Sequence, residues 1–279
     1  MPHEPTRDPG SLKQGIDEGK QVDCVYLDLK KAFDRVPHSA LLKKLEAHGF
    51  QGKVLRWIKN FLKDRTQRVR VGDAVSQWEP VRSGVAQGTV LGPILFLVFI
   101  NDLGDDLEST IQIFADDTKV YRIVEAESDN EKLQGEILQL QRKAASYGME
   151  YNGDKCVVMN VGKVNNSFEY HLINEKGERI MLKNIKCEKE LGEKVHGDLK
   201  VEEQVKVAPG RASVSMRQMK NTFKYMTPEI FKTLYCSHVR PHMEFSIQSW
   251  SPYLKKDVEK HEKLQRRATK LVRGIRNRP

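Results

Sequence analysis

The stretch from Ile111 to Tyr121 constrains this chain more than any other. Asp116 and Asp117 stand between two runs of apolar and β-branched residues. Such flanks predict two short strands joined at the acids. Stability would not choose that turn, because neighbouring anions repel and Asn-Gly or Asp-Gly serves a hairpin better. Paired carboxylates on a rigid hairpin suit a divalent cation instead, which points to metal-assisted chemistry on a phosphate.

A third carboxylate lies upstream. Val25 to Leu29 is a short apolar run interrupted only by Asp28. A charge at the end of a buried strand needs a partner. A magnesium ion shared with Asp116 would supply it, since Mg2+ takes one or two protein carboxylates and fills its shell with water and phosphate oxygens. Two such ions can activate a 3′-hydroxyl and stabilise a leaving pyrophosphate. Between the acids, Gly84, Gly88 and Gly92 bracket a loop that leads into an apolar run. Glycines allow the backbone to approach a ligand, and the Gln87 amide offers both a donor and an acceptor.

Periodicity gives the coarse order. Val22–Leu29 is predicted as a strand, 39–49 as a helix capped by Ser39 and stopped by Gly49, and 54–62 as a helix with Trp57, Ile58 and Phe61 on one side. A hairpin follows around Gly72-Asp73, then a buried helix over 89–103, the acidic hairpin over 110–124, a helix over 131–147 and a strand over 156–161. Strand–helix–strand–strand–helix–strand implies a ferredoxin-like layer, hence an α+β fold. A further hairpin is expected around Glu175-Lys176-Gly177. From about Gln204 onward the chain reads as helical, with Pro228 opening one helix and Pro241 interrupting it.

The charge is uneven. The chain carries 47 Lys and Arg against 38 Asp and Glu. Residues 253–279 hold ten of those cations and three acids, which accounts for most of the surplus. That segment reads as a footprint for a phosphate backbone, with Lys263, Arg266, Arg267, Lys270 and Arg273 as the binding cations. The competing reading is a solvated amphipathic helix, because Leu264, Ala268, Leu271 and Ile275 recur at helical spacing. Cys236, His238 and His242 do not make a zinc set if Pro241 breaks their helical spacing. The apolar run 90–100 is too short to span a membrane, and no apolar leader opens the chain, so no membrane partner is expected. Four scattered cysteines predict reduced thiols in an intracellular compartment, nucleus or cytoplasm, rather than secretion.

Three motifs together carry a resemblance. Leu27-Asp28-Leu29-Lys30-Lys31-Ala32-Phe33-Asp34, Gly84-Val85-Ala86-Gln87-Gly88-Thr89-Val90-Leu91-Gly92-Pro93 and Phe114-Ala115-Asp116-Asp117 resemble the reverse transcriptases of non-LTR retrotransposons, the LINE-type chicken-repeat and jockey groups in particular. Met149-Glu150-Tyr151-Asn152 with Lys155-Cys156, Leu234-Tyr235 and Val239-Arg240-Pro241-His242 continue it, and it runs from Val22 to about Arg276. Ala86 replaces a usual proline, Thr89 a serine and Tyr147 a tryptophan, and Glu193 stands where an apolar residue is expected.

The resemblance implies an RNA-directed DNA polymerase with a ferredoxin-like palm followed by an α-helical thumb. Its partners would be an RNA template, a DNA primer and deoxynucleoside triphosphates, and its cofactor two Mg2+ ions, with Mn2+ as a substitute. Asp28, Asp116 and Asp117 would be the catalytic and metal-binding acids. Phe33 would exclude a ribose 2′-hydroxyl, Gln87 and Gly88 would line nucleotide and template, Lys155 would approach the triphosphate, and the Leu29 carbonyl would complete a metal shell. The implied domains are an unstructured lead at 1–21, a palm at 22–165, a hairpin and primer-grip-like connection at 166–203, and a basic thumb at 204–279. The short polar lead is expected to leave no room for a fingers region, and no endonuclease is expected ahead of it. The alternative expectation is accordingly a catalytically silent, nucleic-acid-binding remnant of a mobile element.

Overall fold

The computed structural model describes residues 15–163, 167–223 and 225–272. The chain divides into two compact units after Ile185.

The first unit is organised by β1 (Gln21–Asp28), a strand buried along nearly its whole length. Helices α1 (His38–Ala47), α2 (Gly52–Leu62) and α3 (Leu91–Ile100) follow. Then come the hairpin β2 (Thr110–Phe114) and β3 (Asp117–Val124), helix α4 (Glu127–Ser146) and strand β4 (Val157–Gly162). The main sheet runs β4-β1-β3-β2, with these pairs antiparallel and the short strand Lys183–Asn184 added parallel beyond β4. With the strands numbered along the chain, that order is 4-1-3-2, the ferredoxin-like arrangement of the α+β palm.

Period-two alternation divides β1 between two environments. Val25, Leu27 and Leu29 enter the main core with Phe96 and Phe99 of α3 and Leu133, Ile137 and Leu140 of α4. Each such side chain contributes roughly 1.5–3 kcal/mol on burial. Tyr26 and Asp28 project to the other face and are only half-buried.

Several local readings need correction. Ser39 does not cap α1, which begins at His38 after the extended Pro37. On α2 the buried residues are Ile58 and Leu62, while Trp57 is exposed and lies against Phe61 at the surface, with ring centroids 6.2 Å apart. Helix α3 is apolar on every side, yet only one face is buried, and Val90, Ile94 and Leu97 are exposed. Helix α4 starts four residues earlier than its apolar stripe, because Asp129 accepts the backbone N–H groups of Glu125 and Ala126 (both 3.0 Å).

The second unit is mainly helical, the expected thumb. It opens with a hairpin pairing Cys187–Glu190 to Glu193–His196. Helix α5 (Glu202–Thr222), the segment Pro228–Glu244 and helix α6 (Lys255–Thr269) follow. Ala212, Met219, Val239, Met243 and Leu264 form its core. Pro228 opens a helix, with the Thr227 hydroxyl accepting from the Ile230 amide. Pro241 does not interrupt that helix. A π turn over Tyr235–Val239 widens the backbone just before the proline, and an α turn resumes at Arg240–Glu244. Cys236, His238 and His242 therefore lie on one continuous helical segment. Pro209 is likewise accommodated inside α5. Among the described residues no helix is long and apolar enough to cross a membrane.

Candidate active site

The acidic hairpin turns one residue earlier than the sequence suggests. Phe114 pairs with Asp117, so the turn is Ala115-Asp116 and Asp117 already belongs to β3. Ala115 has φ +55°, a position that glycine ordinarily takes in a two-residue hairpin loop. Holding alanine there costs on the order of 1 kcal/mol. The turn is shaped for something other than its own stability.

Register brings the third acid in. β1 and β3 are neighbours, and Asp28 sits directly opposite Asp117. Facing side chains on an antiparallel pair have Cβ atoms about 5 Å apart, and like charges so placed destabilise the pair. Asp116 is the adjacent turn residue and is half-buried. Among the described residues, no group of three or more His, Cys, Asp or Glu side chains is close enough to hold a metal ion. The structure thus sets the three acids on neighbouring backbone positions without converging them on one point.

A segment downstream fixes Asp28 from the other side. The Asn152 amide donates to the Asp28 carbonyl (2.8 Å), the Lys30 amide donates to the Glu150 carbonyl (2.8 Å), and Leu29 bridges to Tyr151. The Asp28 amide donates to Cys156 Sγ at 3.4 Å. Burial pushes the Cys156 thiol up to about 11, so it stays protonated beneath the acid. Lys155 Nζ lies 3.3 Å from Asp28 Oδ2. The Glu150 carboxylate bridges Lys30 and Arg35, and those two cations, Lys30 first, hold it below the usual carboxylate range. The motif Met149-Glu150-Tyr151-Asn152 marks this segment in the sequence, but not the pairing of Glu150, whose partners lie more than a hundred residues away.

The glycine loop is fastened to the turn that follows β1. Val85 N–H donates to the Phe33 carbonyl and Gly84 N–H to the Val36 carbonyl, both at 2.8 Å. The Ser83 hydroxyl donates to the Asp34 carbonyl (2.8 Å), and Gln87 Nε2 donates to the Asp34 carboxylate (3.1 Å). Gly84 has φ +90°, and a Cβ there would lie 2.8 Å from the Asp34 backbone. At Gly92 a Cβ would lie 2.2 Å from the Ala86 carbonyl oxygen. Those glycines are needed for the protein's own packing. The Thr89 hydroxyl donates to Ala86 O (2.7 Å) and accepts from Gly92 N–H (3.1 Å).

Phe33 is half-buried and stacked on Phe96, with centroids 4.5 Å apart. Leu29 is buried, and its side chain belongs to the core. Gln87 and Gly88 are exposed. Asp28, Leu29, Phe33, Gln87, Lys155 and the acidic hairpin therefore all belong to the first unit's sheet end and its attached loops. In the second unit, Leu264 and Ala268 are buried in the core of α6, while Lys263, Arg266, Arg267 and Lys270 are exposed. Arg266 pairs with Glu262 (3.0 Å). Arg273 and Ile275 lie outside the described residues. Glu193, the departure from the resembled pattern, accepts the Ser249 hydroxyl at 2.7 Å.

A family profile described as reverse transcriptase (RNA-dependent DNA polymerase) matches residues 4–226. The chain is 26% identical over 280 residues to a probable RNA-directed DNA polymerase from transposon BS of Drosophila melanogaster, covering 94% of this chain and 30% of that protein. It is 35% identical over 143 residues to the RNA-directed DNA polymerase from mobile element jockey of the same organism, covering 47% and 15%. A retrovirus-related Pol polyprotein from type-1 retrotransposable element R2 of Popillia japonica is 34% identical over 86 residues, covering 31% and 14%. The chain spans less than a third of the length of these relatives. Among solved structures, apo telomerase from Candida tropicalis aligns with a TM-score of 0.49 at 13% identity, over 89% of this chain and 42% of that one.

Proposed function

The chain belongs to the reverse transcriptase family, on the branch of the non-LTR retrotransposons, and we propose that it carries the nucleotidyl-transfer centre of an RNA-directed DNA polymerase. One observation carries the reading: Asp28 and Asp117 face each other across adjacent strands, with Asp116 in the strained turn beside them. The donor set fits a hard divalent cation, being all carboxylate oxygen and half-open to solvent. Asp28, Asp116 and Asp117 would hold Mg2+, or Mn2+ in its place. The ions, when bound, supply the charge that favours a 3′-alkoxide and a departing pyrophosphate.

The remaining roles fall to the chain's own groups. Asp28 keeps its position because its backbone is bonded on both sides, to Asn152 and to Cys156. Lys155 moves from Asp28 to a phosphate oxygen, where its Nζ can give a proton to the leaving group. Phe33, braced by Phe96, presents a fixed ring edge against a ribose 2′-hydroxyl and so selects deoxynucleoside triphosphates. Gln87 and Gly88, exposed on a loop bolted to the Phe33–Val36 turn, line the template and the incoming nucleotide. The exposed cations of α6 contact the backbone of RNA template or DNA primer.

Extension of a labelled DNA primer on an RNA template, in buffer with and without Mg2+, tests this. Incorporation of deoxynucleotides that disappears in Asp116→Asn is the expected result. Equal incorporation by the variant and the parent would reject the assignment.

A further inference from the structure

The segment between α1 and the glycine loop has no part in the chemistry above, and it is the most exposed stretch of the first unit. Every residue from Thr66 to Pro80 is exposed. Those residues form a hairpin of two short ladders, with Thr66 and Gln67 paired to Pro80 and Glu79, and Arg70 and Val71 paired to Val75 and Ala74. A two-stranded hairpin with nothing packed on it is marginal in water. This one nonetheless leaves Val71 74% and Trp78 58% exposed.

Charge identifies what would cover it. Between Gln51 and Arg82 the chain carries eight Lys or Arg and three acids, Asp64, Asp73 and Glu79. Helix α2 contains no acid at all, and Lys53, Arg56 and Lys59 are exposed along it, away from the buried Ile58 and Leu62. Aromatic rings are interleaved with those cations. The Arg68 guanidinium lies 4.5 Å above the Trp78 ring, and Trp57, 59% exposed, rests against Phe61. A solvated face would explain the cations without the indoles, and an apolar protein interface the indoles without the cations. Cations beside open aromatic faces are what single-stranded nucleic acid uses, with phosphates on the charges and unpaired bases stacked on the rings.

We propose that α2 and the 66–80 hairpin form a second nucleic-acid surface that grips single-stranded RNA. It deepens the reading above by giving the template a contact outside the reaction centre, and its test is independent of catalysis. Binding of a labelled single-stranded oligouridylate is measured by anisotropy against salt, with EDTA present and in an Asp28→Asn background. Arg68→Gln with Arg70→Gln is expected to weaken binding about tenfold and to reduce the slope of log affinity against log salt by about 1.4. Trp78→Ala is expected to weaken it by a similar factor with the slope unchanged. Photocrosslinks on the unaltered protein should map to 51–82, which decides the matter even if a variant misfolds. Unchanged affinity and slope in both variants, or crosslinks confined to α6, would overturn the proposal. So would variants that lose a protein contact while binding RNA normally.

Discussion

Strand β1 carries two aspartates, and the molecule treats them in opposite ways. Asp23 is fully buried on the core face. Its carboxylate accepts hydrogen bonds from Gln21 (2.8 Å), Asn130 (2.9 Å), Asn160 (2.6 Å) and Tyr170 (2.8 Å). Burial first, and then the nearby Asp23 charge, push the Tyr170 hydroxyl upward, so it remains a donor. Asp28, at the other end and on the opposite face, looks across at a second carboxylate and has one lysine at 3.3 Å. One acid is satisfied by its fold. The other is held in place by its backbone while its charge is left poorly matched. The difference separates a carboxylate that builds the sheet from one that the sheet holds beside another acid.

The comparison can be broken from either end. Asp116→Asn or Asp28→Asn should lower primer extension by roughly a thousandfold or more. Asp28→Asn should also leave Tm unchanged or slightly raised, because it removes an anion facing Asp117. A variant that retains activity, or one that unfolds, would erase the distinction. Asp23→Ala should do the reverse. Its stability in urea should fall by about 3 kcal/mol or more, since buried donors lose their acceptor, while activity per folded molecule is retained. Gly84→Ala, forced to φ +90° against the Asp34 backbone, should cost about 2 kcal/mol and disturb the loop that carries Gln87. Lys155→Ala should slow the chemical step by about tenfold in single-turnover kinetics, with little change in melting. The smallest effect concerns Glu150. Its carboxyl titrates lower when folded than when unfolded, so the Lys30–Glu150–Arg35 contact stabilises above the ordinary Glu range and is lost as pH falls below about 4. Glu150→Gln should remove that acid-side loss, which is under about 1 kcal/mol because the groups are partly exposed.

Much of the first unit was legible, because its elements announce themselves locally. Val25, Leu27 and Leu29 alternate as a buried strand must, and the apolar flanks of Asp116-Asp117 read directly as β2 and β3. What periodicity could not supply was register. That Asp28 meets Asp117, and that the turn falls on Ala115-Asp116, depends on long-range pairing. Asp23 was equally invisible as a buried hub, since three of its four donors come from α4, β4 and Tyr170, distant in sequence. The second unit was harder for a different reason. Pro209 and Pro241 argue locally for helix ends, but surrounding contacts around Val205, Ala208, Val239 and Met243 keep the helices going, with a π turn absorbing one of them. On α2 the side formed by Trp57, Ile58 and Phe61 is only partly inward: Ile58 is buried with Leu62 and Phe61 packs against the core, while Trp57 stays exposed.

The thiol under Asp28 turns this strand end into its own reporter. Cys156 has no solvent-accessible surface, and its sulfur receives the very amide that anchors the acid. A maleimide can reach it only when that junction comes apart. The labelling rate at Cys156 would therefore count how often the Asp28 strand end falls out of alignment, molecule by molecule, whether or not a nucleotide is ever added.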